Sequence, residues 1–245
     1  MNYEAEVTGR VEWIKAILKK TGAKGVILGN SGGKDCTLVE ILCRKATPNV
    51  LSVVMPCESS QNYGSDREHA YLIAKTFDIP TIEVDITKAK QALREVIEPF
   101  AGNEVPMAYN NINPRLRMSV IYAIGQAKGY LVAGTGNASE TYMGYFTKWG
   151  DGGYDFNPIN DLVVEDVYGM LEYLNCPKEI IEKKPSAGLY EGQTDELDMG
   201  VSYEEIDKFI KTGESKFSDK IKSAHEKTEH KRVPPLKYGK DIKWI

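Results

Sequence analysis

The stretch Gly25-Val-Ile-Leu-Gly-Asn-Ser-Gly-Gly-Lys-Asp-Cys36 decides how the rest of the chain is read. Its first part, Gly25 to Gly29, is a short apolar run bounded by glycines, the pattern of a buried parallel strand. Its second part is a glycine-rich turn, after which Thr37 to Lys45 takes up a helical spacing. Glycines let the backbone turn sharply and approach a ligand closely, and a helix starting just beyond offers free N–H groups and a positive dipole end. The turn therefore predicts a phosphate cradle, with a plain tight turn between strand and helix as the bland alternative.

Working outward, Glu4 to Lys20 carries Val7, Val11, Ile14, Ile17 and Leu18 at helical spacing. Val50 to Met55 reads as a second strand, and Asp66 to Phe77 as a helix that ends before Pro80. Thr81 to Asp85 is a third strand and Lys88 to Glu98 a further helix. Arg115 to Lys128 leads into a fourth strand, Tyr130 to Gly134. This alternation predicts an α/β fold, a Rossmann-like parallel sheet with helices on both faces, as a single domain over 1–245. Ligands in such sheets sit beyond the carboxyl ends of the strands, here after Leu28, Met55, Val84 and Ala133. The segment Met143 to Asp161 has no clear period, but its Tyr145, Phe146, Trp149, Tyr154 and Phe156 argue for an ordered functional loop. Gly188 to Gly200 is acidic and turn-rich, a mobile loop by expectation. Tyr203 to Lys211 and Ser215 to Lys227 read as short amphipathic helices, stopped by Pro234-Pro235.

Composition excludes several classes. With 245 residues, 42% hydrophobic and 27% charged, the chain matches an ordinary globular domain, and no apolar run is long enough for a membrane helix. Met1 to Glu12 holds three glutamates and no apolar run, so no secretory leader is expected there. Cys36, Cys43, Cys57 and Cys176 form no CxxC pair and no zinc spacing, which suits reduced thiols in the cytoplasm. A net charge of −4 argues against a general nucleic-acid binder. The balance is uneven, however, with ten Lys/Arg against five Asp/Glu from Lys211 to Ile245. That basic tail is either a solvated face or a segment that folds over an anion.

The glycine turn fails two common motifs. A P-loop needs glycine where Leu28 stands and a hydroxyl where Asp35 stands, and the dinucleotide motif needs glycine in place of Ser31. What remains is Ser-Gly-Gly-x-Asp. A carboxylate beside phosphate repels it unless a cation lies between, so Asp35 predicts a Mg²⁺ ligand. This arrangement after a buried strand resembles the pyrophosphatase loop of the N-type ATP-pyrophosphatases, which cleave ATP to AMP and pyrophosphate while adenylating a substrate.

A second cluster narrows the resemblance. Gly134-Thr-Gly-Asn-Ala-Ser-Glu140 follows the fourth strand, then Gly144-Tyr-Phe-Thr-Lys-Trp-Gly-Asp-Gly-Gly-Tyr-Asp-Phe-Asn-Pro158. Together with Lys184-Pro-Ser-Ala-Gly-Leu189, Asp195-Glu196, Gly200-Val-Ser-Tyr203 and Thr228-Glu-His-Lys-Arg-Val-Pro-Pro235, these are similar to the ammonia-dependent NAD synthetases, in order, from about Gly25 to Pro235. The resemblance implies an adenine nucleotide alpha hydrolase-like fold. It also implies ATP as co-substrate, deamido-NAD and ammonia as substrates, Mg²⁺ and a homodimer. By position it gives Gly29, Asn30, Ser31, Gly32, Gly33, Lys34, Asp35, Cys36, Thr135 and Ser186 to ATP, and Asp35 and Glu140 to the metal. Arg115, Lys148, Asp155, His230 and Lys231 fall to deamido-NAD, with Arg117 a neighbour able to share. The bottom-up chemistry gives Lys148 a catalytic task, neutralising the oxyanion formed as ammonia adds, and Asp155 another, orienting ammonia or taking its proton. The alternatives for these two are a surface lysine and a turn aspartate.

Three departures stand out. Cys36 occupies the loop's usual Ser or Thr position. Val164 stands about where the family has an ATP-contacting lysine, for which Lys183 or Lys184 could substitute. The wording of Pro56 to Asp66, including Gln61 at the expected adenine side, is not the family's. No glutaminase domain is expected in this length, so ammonia is the expected nitrogen source. Two competing readings are another enzyme of the loop superfamily, such as a tRNA thiolase or a GMP synthetase-like protein, and a non-catalytic nucleotide sensor. The acidic chain without paired catalytic cysteines speaks against a thiolase, and the set Asp35, Glu140 and Lys148 speaks against a sensor.

Overall fold

The computed structural model describes residues 1–102, 104–183, 185, 194–235 and 237–238. In chain order the elements are α1 (Tyr3–Thr21), β1 (Gly25–Asn30), α2 (Lys34–Ala46), β2 (Val50–Val54), α3 (Ser60–Tyr63), α4 (Ser65–Thr76), β3 (Thr81–Glu83) and α5 (Thr87–Ala101). There follow α6 (Pro106–Asn110), α7 (Ile112–Lys128), β4 (Tyr130–Val132), α8 (Ala138–Met143), α9 (Val164–Tyr173), α10 (Lys178–Ile181), α11 (Asp195–Met199), α12 (Tyr203–Thr212), α13 (Ser218–Lys227) and α14 (Glu229–Arg232).

The four strands pair in parallel in the order β3-β2-β1-β4, with Val26 opposite Val50, Gly25 opposite Tyr130 and Ser52 opposite Thr81. The alternation of β1 sorts its side chains to two faces. Val26 and Leu28 join Val7, Val11 and Ile14 of α1, Leu38 and Leu42 of α2, and Val167, Met170 and Leu171 of α9. Ile27 turns the other way, to Val53 of β2 and Ile121 of α7. A third apolar cluster, Met143, Val164, Met199, Ile206, Phe209 and Ile221, seats the C-terminal helices on α8 and α9. The expected sheet with helices on both faces is present.

The chain runs β1, β2, β3 in one direction and returns to place β4 on the opposite side of β1. That reversal opens a crevice at the carboxyl ends of β1 and β4, the place where such sheets bind ligands. Several elements exceed the sequence reading. α2 starts at Lys34, three residues before the expected helix, and α7 starts at Ile112, taking Pro114 into its first turn. α9 was not expected, since its valines and Gly169 weaken the helical signal, yet its buried Val164, Val167, Met170 and Leu171 lie at helical spacing. Of the expected loop Gly188 to Gly200, Asp195–Met199 is helical, and 188–193 lie outside the described residues.

Candidate active site

The loop after β1 is set by one side chain. Asn30 Oδ1 accepts the Gly32 N–H at 2.7 Å, and Gly32 holds φ +64, where a Cβ would stand 2.3 Å from the Asp66 carbonyl oxygen. Only glycine fits that turn. Gly33 then caps α2 without any side-chain hydrogen bond, so the first N–H groups of α2 remain available at the positive end of the helix dipole. Such a turn can cradle a phosphate.

The loop after β4 meets it. Asn137 caps α8, accepting the Glu140 N–H at 3.0 Å, while Glu140 Oε2 accepts the Asn137 N–H at 3.2 Å. The free end of the same side chain, Asn137 Nδ2, donates to Asp35 Oδ1 at 3.0 Å. Asp35 Oδ2 accepts from the buried Lys34 Nζ at 2.6 Å. Burial disfavours the Lys34 ammonium, but the charges of Asp35 and Glu140 outweigh it and raise its pKa. Glu140 is pushed well above the ordinary carboxylate range by burial first and by Asp35 second, with Lys34 partly offsetting both. Two carboxylates that repel one another beside a phosphate cradle fit a hard divalent cation. Among the described residues no group of three or more His, Cys, Asp or Glu is arranged to hold a metal alone, so phosphate and water would complete its shell.

A cavity of about 1040 Å³ contains Gly29, Asn30, Ser31, Gly33, Lys34, Asp35, Cys36, Thr135, Glu140, Arg115, Lys148, His230 and Lys231 on its walls. The structure thus brings together most of the residues singled out in the sequence. Gly32 turns behind the wall, against Asp66 and His69. Asp155 is not brought in. It is exposed, its Oδ2 accepting the Val132 N–H at 2.8 Å and its Oδ1 the Tyr122 hydroxyl at 3.1 Å, so it ties the glycine-rich loop to β4 and α7. Ser186, Lys184 and the side chain of Gln61 lie outside the described residues.

Of the basic tail, His230, Lys231 and Arg232 lie over the cavity. Lys231 Nζ donates to the Gly144 and Phe146 carbonyls, each at 2.8 Å, and Lys148 Nζ donates to the His230 carbonyl. Burial lowers the Lys231 pKa, Asp151 works against that, and Arg232 and Arg115 reinforce it. Two residues given only secondary parts in the sequence reading complete the floor. Lys183 Nζ reaches Asp66 Oδ1 at 2.7 Å and the Gly32 carbonyl at 3.2 Å, and Arg117 spans from the Met55 carbonyl to Asn62 Oδ1, both at 3.1 Å. Arg117 thus braces the floor from a wall position next to Arg115. Asn137 could have been found from the spacing Asn137-x-x-Glu140, a capping box at the end of a strand. Cys36 donates to the Gly33 carbonyl at 3.2 Å, and burial, then the Glu40 charge, raises its pKa, so it is a neutral packing thiol.

The family model described as NAD synthase matches residues 6–240. The chain belongs to the NAD synthase family. Among its relatives, an NH(3)-dependent NAD(+) synthetase of Carboxydothermus hydrogenoformans is 40% identical over 96% of this chain and 98% of that protein. Two solved structures frame the NAD synthase fold seen here. An NMN synthetase from Francisella tularensis is 32% identical, covers 98% of this chain and 99% of its own, and superposes with a TM-score of 0.92. An NH3-dependent NAD synthetase from Campylobacter jejuni is 27% identical, covers 96% and 98%, and gives 0.77.

Proposed function

We propose that this NAD synthase converts deamido-NAD to NAD with ammonia, cleaving ATP to AMP and pyrophosphate. The observation that carries the reading is the meeting of the two loops through Asn137, which puts Asp35 and Glu140 beside the phosphate cradle inside a cavity rimmed by Arg115, Lys148 and Lys231. The N–H groups at the start of α2 and the Lys34 ammonium would hold the phosphates, with Thr135 facing ATP from the other loop. Asp35 and Glu140 would hold Mg²⁺, which supplies charge neutralisation at the phosphates when bound. An oxygen of the nicotinate carboxylate attacks the α-phosphorus, the bond to the bridging oxygen breaks, and pyrophosphate leaves with the electron pair. Ammonia then adds through its lone pair to the activated carbonyl carbon, AMP leaves with its electron pair, and the nitrogen sheds one proton. Lys148 would neutralise the transient oxyanion, and its bond to His230 couples that task to closure of the tail. Arg115, His230 and Lys231 would contact the acceptor's phosphates. Asp155, exposed beside Tyr122, could reach the acceptor only from the outer face of the loop.

A second copy is expected on α5 instead. Leu93, Val96 and Phe100 form an apolar stripe on α5, at 39%, 63% and 91% exposure, and support a homodimer. Four unpaired buried thiols, and the lack of any membrane-spanning helix among the described residues, suit a reducing cytoplasm.

One further reading rests on the likeness to the NMN synthetase: the acceptor would be nicotinate mononucleotide, which lacks the adenylate half. Protein, ATP, Mg²⁺ and ammonium, incubated with each acceptor in turn and resolved by chromatography, separate the two. NAD and AMP in equal amounts, faster than amidation of the mononucleotide, is the expected result. Faster amidation of the mononucleotide would favour the second reading, and no AMP with either acceptor would sink both. Glutamine in place of ammonium is expected to give no product.

A further inference from the structure

Beneath the phosphate loop lies a polar group with no part in the chemistry above. Glu40, on the inner face of α2, and Ser52 of β2 are fully buried, and Asn30 at the end of β1 is buried beside them. Ser52 Oγ is hydrogen-bonded to Glu40 Oε1. Asn30 Nδ2 donates to Glu40 Oε2 at 3.0 Å and to Ser52 Oγ at 3.2 Å. With its nitrogen held below, Asn30 presents Oδ1 upward, where it accepts the Gly32 N–H and, at 3.5 Å, the Cys36 thiol. The opposite orientation of this amide would set its NH₂ against the Gly32 N–H, donor facing donor, and leave its oxygen against the Glu40 carboxyl. A buried carboxyl is tolerated only when its oxygens are hydrogen-bonded, and both of these are.

We infer that Glu40 is a positioning residue of the phosphate loop: its carboxyl fixes which way the Asn30 amide faces, and through Asn30 it holds the Gly32 turn in the form that receives the ATP phosphates. The inference rests on the loop binding ATP, as proposed above. Its chemistry distinguishes two substitutions of similar size. Glutamine keeps both contacts, its Nε2 donating to Ser52 and its oxygen accepting from Asn30. Methionine keeps the volume and neither contact.

The test compares the wild type with Glu40→Gln, Glu40→Met, Asn30→Leu and the double variant Glu40→Met/Asn30→Leu. ATP affinity is read by calorimetry without acceptor, and KM for ATP and for the acceptor by turnover. Glu40→Gln should stay within about 2-fold of the wild type, whereas Glu40→Met should weaken ATP by about 10-fold with the acceptor KM unchanged. In the Asn30→Leu background, Glu40→Met should add nothing. Wild-type ATP affinity in Glu40→Met, or losses that add in the double variant, would overturn the inference. If Glu40→Met does not fold, Asn30→Leu carries the test, and unchanged ATP affinity there is equally fatal. A wild type that binds ATP but turns over neither acceptor would instead count against the function proposed above.

Discussion

Asn137 ties the two acidic loops together, since its side chain serves Asp35 with one end and the Glu140 backbone with the other. Asp35→Asn and Glu140→Gln are each expected to lower the rate of ATP cleavage by about 100-fold or more, read as AMP release across a Mg²⁺ titration. Near-normal rates in both would remove the two-carboxylate cation site. Glu40 shapes stability differently. Its ordinary pKa is 4.5, and burial pushes it up to about 8 in the folded protein, against the hydrogen bonds of Ser52 and Asn30. Between those values the unfolded chain releases a proton that the folded chain retains. The folded state therefore loses ground as pH rises through that window, and the loss levels off above about pH 8. Glu40→Gln removes the titration. Its melting temperature should match the wild type near pH 4.5 and exceed it by roughly 10 °C at pH 8, and parallel melting curves across that range would refute the buried, neutral acid.

Among the elements, α14 and the glycine-rich loop behave as one unit. Gly144 holds φ +67, and a Cβ there would stand 2.2 Å from Thr228 Oγ1, at the junction between α13 and α14. Gly144→Ala should push the tail off the loop, separate Lys231 from its two carbonyl partners, and raise the acceptor KM by about 10-fold with ATP KM unchanged. Steady-state kinetics in both substrates checks the split. The tail's contact was legible beforehand as a charge imbalance and, through the family resemblance, as His230 and Lys231 turned to the acceptor; the helix itself was not, because four residues have no period to detect. The strands of the sheet and α1, α5, α7 and α12 were legible, since their apolar residues recur at the spacing of the element they form. The helix α9 was not, because Val164, Val167 and Gly169 are poor helix formers and burial against α1, α2 and α12 overrides them. Glu40 was invisible for the opposite reason. An acid in a helix reads as solvent-facing, and nothing local announces that Ser52 and Asn30 wait on the inside. Asp155 stood in a motif that suggested chemistry, yet its oxygens meet Val132 and Tyr122, partners brought to it only by the folding of α7 against β4.

For the whole molecule, the exposed stripe of α5 sets an expectation about assembly. A helix that leaves Val96 and Phe100 mostly exposed calls for a partner, and Phe100→Asp should convert a dimer to a monomer in sedimentation. A wild type that sediments as an active monomer would overturn that expectation. The sheet order has a consequence in time as well. During synthesis the glycine turn at Gly29 to Cys36 emerges early, with β1, β2 and β3 able to pair behind it, while Asn137 and Glu140 follow about a hundred residues later. β4 must dock on the free edge of β1 before Asp35 acquires its counterpart. A nascent chain that ends before β4 therefore carries the glycine turn without the second carboxylate, and the pair is completed only when the later half of the chain has folded.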